Sequence, residues 1–141
     1  MYRLIGNNHS LGGLPFSAQV FVRSLDRVRG RLADDAGVTR LELQALGRIA
    51  EESDIDAAAL AQHLDATTST TESVVHGLIE RGLVTPQLEL TPAGHALMEK
   101  VYLDFQGSIL EAAESLDEER RYAFEAALLR MARKLDDAAE R

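Results

Sequence analysis

Apolar residues recur at intervals of three and four along most of this chain, which is the spacing of amphipathic helices. The first such stretch, from Leu14 to Ala33, carries six apolar positions at this spacing: Leu14, Ala18, Phe21, Leu25, Val28 and Leu32. Residues 1–13 hold three glycines and show no sustained period, so they are predicted to form an arm or loop. The pattern therefore predicts a mainly helical protein whose first helix begins near Leu14.

A second helix is predicted from Thr39, because Thr39 and Glu42 have the spacing of a capping box. In that motif each side chain satisfies a backbone donor of the other residue. The buried stripe of this helix is predicted to contain Leu43, Leu46, Ile49 and Ala50. A capped helix with one apolar stripe is typical of a helix packed in a bundle.

The segment Leu60–Val84 has the pattern of a helix-turn-helix that leads into a hairpin. Its second helix is predicted to start after Thr67 and to end at Gly82, where a left-handed C-cap is needed. The residues of this helix predicted to face the core are Val74, Val75, Leu78 and Ile79. A short hairpin is predicted next, with its turn at residues 85–87. The second helix of such a unit is the one that enters the major groove of DNA.

Two long helices are predicted in the last third of the chain, one opened by Thr91-Pro92 and one by Asp117. The first has a heptad seam formed by Met98, Tyr102, Phe105, Ile109, Ala112 and Leu116. The second has a stripe formed by Phe124, Leu128, Met131 and Leu135. Together these stripes exceed what one small bundle can cover, so a homodimer is predicted.

Composition narrows the class of protein. The 141 residues fit one domain, or one small domain extended by a dimerisation module, and the 0 cysteines exclude disulfides and thiolate metal sites. Neither a signal peptide nor a membrane span is evident, so a cytoplasmic protein without membrane contact is expected. Neither a glycine-rich phosphate loop nor a nucleophile elbow is present, and we expect no enzymatic activity, no cofactor and no metal.

With these elements in this order, the chain resembles the MarR family of bacterial winged-helix regulators. The resemblance rests on TRLELQALGRIAEE, LAQHL and ERGLV in the central segment, on LTPAGHALM after the hairpin, and on LDEERR before the last helix. It implies a mainly α, winged helix-turn-helix fold with a small β-hairpin wing and with N- and C-terminal dimerisation helices. The implied parts are an arm at 1–13, a first dimerisation helix at 14–37, a winged helix-turn-helix lobe at 38–91 and C-terminal dimerisation helices at 92–141.

The resemblance also implies partners: a second copy of the chain, double-stranded DNA, and a small aromatic or anionic ligand. The residues expected in the dimer interface are Leu25, Met98, Tyr102, Phe105, Ile109, Phe124, Leu128, Met131 and Leu135. Phe16, Phe21 and Tyr102 are candidates for lining the ligand pocket. The alternative for these aromatic residues is a place in the core or the dimer seam.

The candidates for DNA contact are the hydroxyl residues that open the second helix of the pair and three arginines. They are Thr67, Thr68, Ser69, Thr70, Ser73, Arg40, Arg48 and Arg81. Hydroxyls and a helix N-terminus can bind phosphate or base edges, although the same residues also suit a capped helix start with a solvated surface.

Charge sets a limit on this DNA contact. Members of the family commonly have arginine where this chain has Thr68 and Ser73, and Glu72 stands between them. From Ile49 to Glu99 the one basic residue is Arg81, against nine acidic residues, and the whole chain has a net charge of -8. Because affinity for DNA depends on neutralising phosphates, weak binding is predicted. The alternative function is a winged-helix protein that has lost DNA reading and acts as a protein-interaction or ligand-sensing module.

Two further patterns have a structural and a functional interpretation. Glu72 and His76 lie four residues apart and can share a metal ion, but a surface pair is the preferred interpretation. The arginines of the first helix, which are Arg23, Arg27, Arg29 and Arg31, suit either phosphate binding or, as preferred here, a solvated face that pairs with acidic residues.

Overall fold

The computed structural model describes residues 9–141, with side chains from residue 13 onward. Six helices form in this part of the chain: α1 (His9–Ala36), α2 (Arg40–Glu51), α3 (Ala57–Leu64), α4 (Thr68–Glu80), α5 (Pro92–Ala112) and α6 (Glu118–Ala139). The prediction of a mainly helical protein is confirmed. Among the described helices, none is long and apolar enough to cross a membrane.

Helix α1 begins earlier than predicted. Residues 9–13 of the predicted arm are helical, except that Gly13 has φ -39° and ψ -121° and interrupts the helix there. Pro15 follows this break, in the first turn of the continuing helix, where its missing donor is tolerated. Leu14, the predicted start, is thus the first residue after a kink. The turn before the kink was not predicted, because a single helical turn can form without a sustained apolar period. Residues 1–8 of the predicted arm lie outside the described residues.

Local signals end α1 and begin α2. Gly37, at φ 74°, takes the left-handed conformation after α1, and Val38 donates its amide to the carbonyl of Ala33 at 3.0 Å. The capping box of α2 forms as predicted. The amide of Glu42 donates to Thr39 Oγ1 at 3.0 Å, and the amide of Thr39 donates to Glu42 Oε1 at 2.8 Å.

The core lies where α2, α3 and α4 meet. Leu46, Leu60 and Leu78, one from each helix, are completely buried. Ala50 was predicted to belong to the buried stripe of α2 but is exposed, and Ala45 is buried instead. The stripe is rotated toward Glu42, whose carboxylate is held inside the fold, and Ala50 therefore falls on the solvent side.

Helices α3 and α4 form the predicted helix-turn-helix. Asp65, at φ 49°, ends α3 in the left-handed conformation, and Thr67 caps α4. At the far end of α4, Gly82 has φ 71°, and Leu83 donates its amide to the carbonyl of Leu78 at 3.0 Å. The predicted glycine C-cap is thus present.

The predicted hairpin is reduced to a single antiparallel bridge between Val84 and Leu90, and no strand forms within residues 9–141. The connecting turn is closed by the amide of Leu88, which donates to the carbonyl of Thr85 at 2.9 Å. Pro86 has no amide to donate, and so few residues flank the turn that a longer ladder cannot develop. The tip carries no charged residue.

The described residues divide into two compact units, one ending at Phe105 and the other comprising Gln106–Arg141. In the first unit, Thr91 Oγ1 accepts the amide of Gly94 at 3.1 Å and so caps α5, as predicted. The second unit contains the end of α5 and the whole of α6, which Asp117 caps through the amide of Arg120 at 2.8 Å. None of the residues of α6 is buried in the single chain.

Candidate nucleic-acid interface

The N-terminus of α4 is built by threonine hydroxyls. Thr67 Oγ1 accepts the amide of Thr70 at 3.1 Å and donates to Thr70 Oγ1 at 3.0 Å. Thr71 donates its hydroxyl to the carbonyl of Thr67 at 2.9 Å and is 1% exposed. Thr67 and Thr71 therefore hold the start of the helix in place, and the capping interpretation of Thr67 is confirmed.

The remaining hydroxyls of α4 face solvent. Thr68, Ser69 and Ser73 are exposed, and the exposed Glu72 lies among them. The first amides of a helix and its dipole favour an anion, so the hydroxyls and the helix N-terminus together can bind a phosphate. Glu72 opposes this because its charge repels phosphate. The exposed start of α4 is therefore a polar face that lacks a positive side chain.

Arg81, a candidate for DNA contact, is engaged within the fold. Its Nη1 donates to the carbonyl of Gly37 at 2.9 Å and lies 3.2 Å from Glu42 Oε1. It also stands at the C-terminal end of α4, about 20 Å along the helix from Thr68 and about 12 Å from Ser73, the nearest of these hydroxyls. The structure does not bring Arg81 together with the hydroxyl cluster.

The other two arginines belong to α2. Arg48 Nη1 lies 3.7 Å from both Glu51 Oε2 and Glu52 Oε1, so acidic neighbours partly neutralise it. The guanidinium of Arg40 lies against Gly30 of α1, so closely that a Cβ atom at Gly30 would collide with it. Arg40 takes part in none of the ion pairs found among the described residues, so of the three candidate arginines it is the one best placed to meet an anion.

Histidines pair with carboxylates across short distances. His76 Nε2 lies 3.0 Å from Glu80 Oε1, so His76 pairs with the residue four positions after it. The surface pair between Glu72 and His76 that the sequence suggested is not the one that forms. His63 Nε2 lies 3.3 Å from Glu52 Oε1. Within the described residues, no group of three or more acidic, histidine or cysteine side chains is placed to hold a metal ion.

A cavity of about 410 Å³ lies in the first unit, between α1, α2 and the beginning of α5. Its lining residues are Asp26, Arg29, Leu32, Arg40, Leu43, Gln44, Glu51, Met98, Val101, Tyr102 and Phe105. Of the ligand candidates, Tyr102 lines this cavity, whereas Phe16 and Phe21 do not. Arg29 and Arg40 could not be predicted as lining residues, since both are charged residues of ordinary helix faces. Only the proximity of Arg40 to Gly30 could have indicated them, and that contact is not local.

An open apolar groove of about 230 Å³ runs along α4 beside the start of α3. Val75 and Ile79, which were predicted to point inward, are half-buried and form its apolar wall together with Ala57. Its rim includes Thr68, Glu72 and His76. The outward side of α4 thus combines apolar, hydroxyl and acidic groups.

The predicted dimerisation residues are accessible in the single chain. Tyr102 is 69% exposed and Leu135 is 65% exposed. Ile109, Phe124, Leu128 and Met131 are also exposed, whereas Leu25, Met98 and Phe105 are half-buried. Much of the apolar surface of α6 and of the later part of α5 is therefore left exposed within one chain.

Residues 36–91 match a family model described as MarR family. Among solved structures, a MarR family protein from Bacillus stearothermophilus is similar with a TM-score of 0.83 and 20% identity, over 91% of this chain and 96% of that chain. A Mycobacterium tuberculosis MarR family protein in complex with DNA has a TM-score of 0.74 and 20% identity, over 84% of this chain and 96% of that chain. The Mycobacterium tuberculosis MarR family protein in complex with salicylic acid has a TM-score of 0.69 and 19% identity, over 84% of this chain and 98% of that chain. No curated protein matches the chain. At these identities the likeness to solved structures is a likeness of fold.

Proposed function

We propose that this chain, whose residues 36–91 match the MarR family model, is a homodimeric, winged-helix regulator of transcription that contacts double-stranded DNA through the N-terminus of α4. The observation that carries this proposal is the exposed hydroxyl face of Thr68, Ser69 and Ser73 on a helix whose start is already fixed by Thr67 and Thr71. These hydroxyls need no partner within the fold and are available to phosphates and base edges. The DNA-bound structural neighbour supports the same use of the fold.

The dimer is supported by the uncovered apolar faces of α5 and α6. None of the 22 residues of α6 is fully buried in its own chain, and Phe124, Leu128 and Met131 lie exposed on one side of it. Such a helix requires a partner to shield it from water. We propose a second copy as that partner, because one two-fold axis then gives each DNA half-site its own α4.

DNA binding is proposed to be weak. Once Arg81 is assigned to the fold, Arg40 and Arg48 are the arginines that each subunit offers from α2. Four arginines per dimer, at about 0.9 per phosphate contact, give a slope of log affinity against log salt no steeper than about -4. The test is pull-down of genomic fragments by the purified protein at low and at physiological salt. Recovery of a specific fragment at both salts supports the proposal, and recovery at neither salt contradicts it.

The cavity between α1, α2 and α5 is proposed to bind a small aromatic acid. Its volume falls in the range of small-molecule sites, Tyr102 and Phe105 offer aromatic surface, and Arg40 offers a positive charge. The neighbour crystallised with salicylic acid supports this class of ligand.

The ligand proposal predicts that salicylate raises the melting temperature of the unaltered protein, because a ligand that binds only the folded state stabilises it. At a salicylate concentration of 100 times Kd the gain is about 2.7 kcal/mol. Arg40→Gln is expected to remove most of the shift, whereas Arg120→Gln, on α6, is the matched control and keeps it. An equal shift in all three proteins would show that salicylate binds elsewhere.

A second candidate function is favoured by the apolar groove on α4. A groove walled by Val75 and Ile79 and rimmed by Glu72 suits an apolar side chain of a protein partner better than a phosphate. The same pull-down separates the two candidates when it is repeated with Glu72→Gln. This variant is expected to bind DNA more tightly if α4 reads DNA, whereas neither protein retains DNA if α4 serves protein contact.

A further inference from the structure

Arg81 connects three segments that are distant in the sequence. Its Nη1 donates to the carbonyl of Gly37, at the end of α1, over 2.9 Å. The same nitrogen lies 3.2 Å from Glu42 Oε1, in the first turn of α2. Arg81 itself is the C-cap of α4. One guanidinium therefore ties the C-terminal end of α4 to the corner where α1 passes into α2.

The carboxylate of Glu42 is the centre of this junction. Its side chain is 8% exposed, and Oε1 also accepts the amide of Thr39 at 2.8 Å. A Cβ atom built at Gly77 would lie 3.2 Å from Glu42 Oε2, so α4 approaches the carboxylate closely at a position that has no side chain. The carboxylate is thus enclosed between the start of α2 and the last turns of α4, and Arg81 supplies the positive charge it needs there.

We propose that Arg81 is a positioning residue for DNA reading: it fixes the orientation of α4 relative to α1, and so sets the separation of the two α4 helices in the dimer. This inference rests on the proposed function. In a two-fold dimer the spacing of DNA half-sites follows from the separation of the reading helices. Because α1 belongs to the dimerisation module implied for this fold, a link from α4 to α1 controls that separation without any contact between Arg81 and DNA.

The test compares Arg81→Gln, Arg81→Lys and Glu42→Gln with the unaltered protein, and uses Arg120→Gln as the matched control. Arg120 also pairs with one carboxylate, Asp117, but within a single helix start, so it links no separate elements. Affinity is measured for palindromes that carry fixed half-sites at varied spacing, and again across a range of salt. Amide exchange at Thr39 is measured in the absence of DNA.

A positioning role gives a distinctive set of results. Arg81→Gln should reduce the preference for one spacing by tenfold or more and leave the salt slope unchanged. It should also accelerate amide exchange at Thr39 by tenfold or more, since the carboxylate that accepts this amide loses its anchor. Glu42→Gln keeps the capping box but loses the charge, and it should show the same changes to a smaller degree. Arg120→Gln should show none of them.

A phosphate contact gives a different set. The salt slope would become shallower by about 1.8 for two lost contacts per dimer, and the preferred spacing would stay the same. That result overturns the inference. If the unaltered protein binds no DNA, the proposed function fails, and exchange at Thr39 alone decides whether Arg81 anchors the junction. If Arg81→Gln does not fold, Arg81→Lys and Glu42→Gln provide the same measurements.

Discussion

The exposed start of α4 allows positive charge to be added where the chain has none, which gives a direct prediction about DNA. Replacing both Thr68 and Ser73 with arginine adds two charges per subunit at exposed positions. If each new arginine reaches a phosphate, the dimer gains four contacts, and the salt slope steepens by about 3.6 at about 0.9 per contact. Between 50 mM and 200 mM salt the variant should then lose about 150-fold more affinity than the unaltered protein loses.

The stability cost of this change is small. Thr68 opens α4, so an arginine there meets the positive end of the helix dipole at a cost of about 0.3–1 kcal/mol. Ser73 lies inside the helix, where arginine has the higher helix propensity. The hydrogen bonds that hold the start of α4 come from Thr67 and Thr71, which the variant keeps.

The assay is a titration of designed palindromes and genomic fragments by fluorescence anisotropy at several salt concentrations. Ser115→Arg combined with Ala138→Arg is the matched control, because it adds the same charge at exposed positions of the second unit. The variant with arginine at both Thr68 and Ser73 should have a steeper slope of log affinity against log salt than the unaltered protein, and the control should not. Equal slopes in the two variants would refute the assignment of the α4 start as the DNA-reading face. Steep, tight binding by the unaltered protein would refute the limit on its phosphate contacts.

Two other predictions concern assembly and packing. Leu128→Glu should convert the proposed dimer to a monomer in sedimentation, because two buried unpaired charges at about 3 kcal/mol each weaken association by about 10⁴-fold. Arg130→Glu, on the opposite side of α6, should leave the proposed dimer intact. A monomeric unaltered protein would contradict the proposed dimer. Gly94→Ala should lower the melting temperature by several degrees, because the added Cβ atom would overlap the carbonyl of Leu83. Gly107→Ala, which has open space around the added Cβ atom, should not lower the melting temperature. Equal melting temperatures of the two variants would show that α5 shifts freely.

The helices and their caps could be predicted because the physics that sets them is contained in a few adjacent residues. Thr39 with Glu42, Thr67 and Thr91 each bond to amides within three positions, and the structure shows these bonds. Gly82 takes the predicted left-handed conformation for the same local reason. The start of α1 could not be found in this way, since residues 1–13 show no sustained apolar period in the sequence.

The candidate site depends on contacts between distant residues, and there the prediction from sequence was incomplete. Arg81 was a candidate for phosphate contact because it is the one basic residue in a long acidic stretch. Its acceptor, the carbonyl of Gly37, is 44 positions away, and no local pattern indicates that pair. The cavity likewise takes its charged wall from Arg29 and Arg40, which lie on separate helices.

The assignment of Arg81 to the fold changes how the charge of the lobe should be understood. From Ile49 to Glu99 every arginine or lysine that the sequence provides, which is Arg81 alone, is committed to a carboxylate and a carbonyl inside the structure. Any attraction of this segment for phosphate must then come from helix amides and hydroxyls, which act over short distances and carry no net charge. Such a surface cannot steer DNA from afar but can still discriminate once DNA is close, because its hydroxyls bond only to correctly placed acceptors. The protein should therefore associate with DNA slowly, and its affinity should depend on half-site spacing more than on salt. This behaviour is expected of a dimer that relies on the position of its helices and not on their charge.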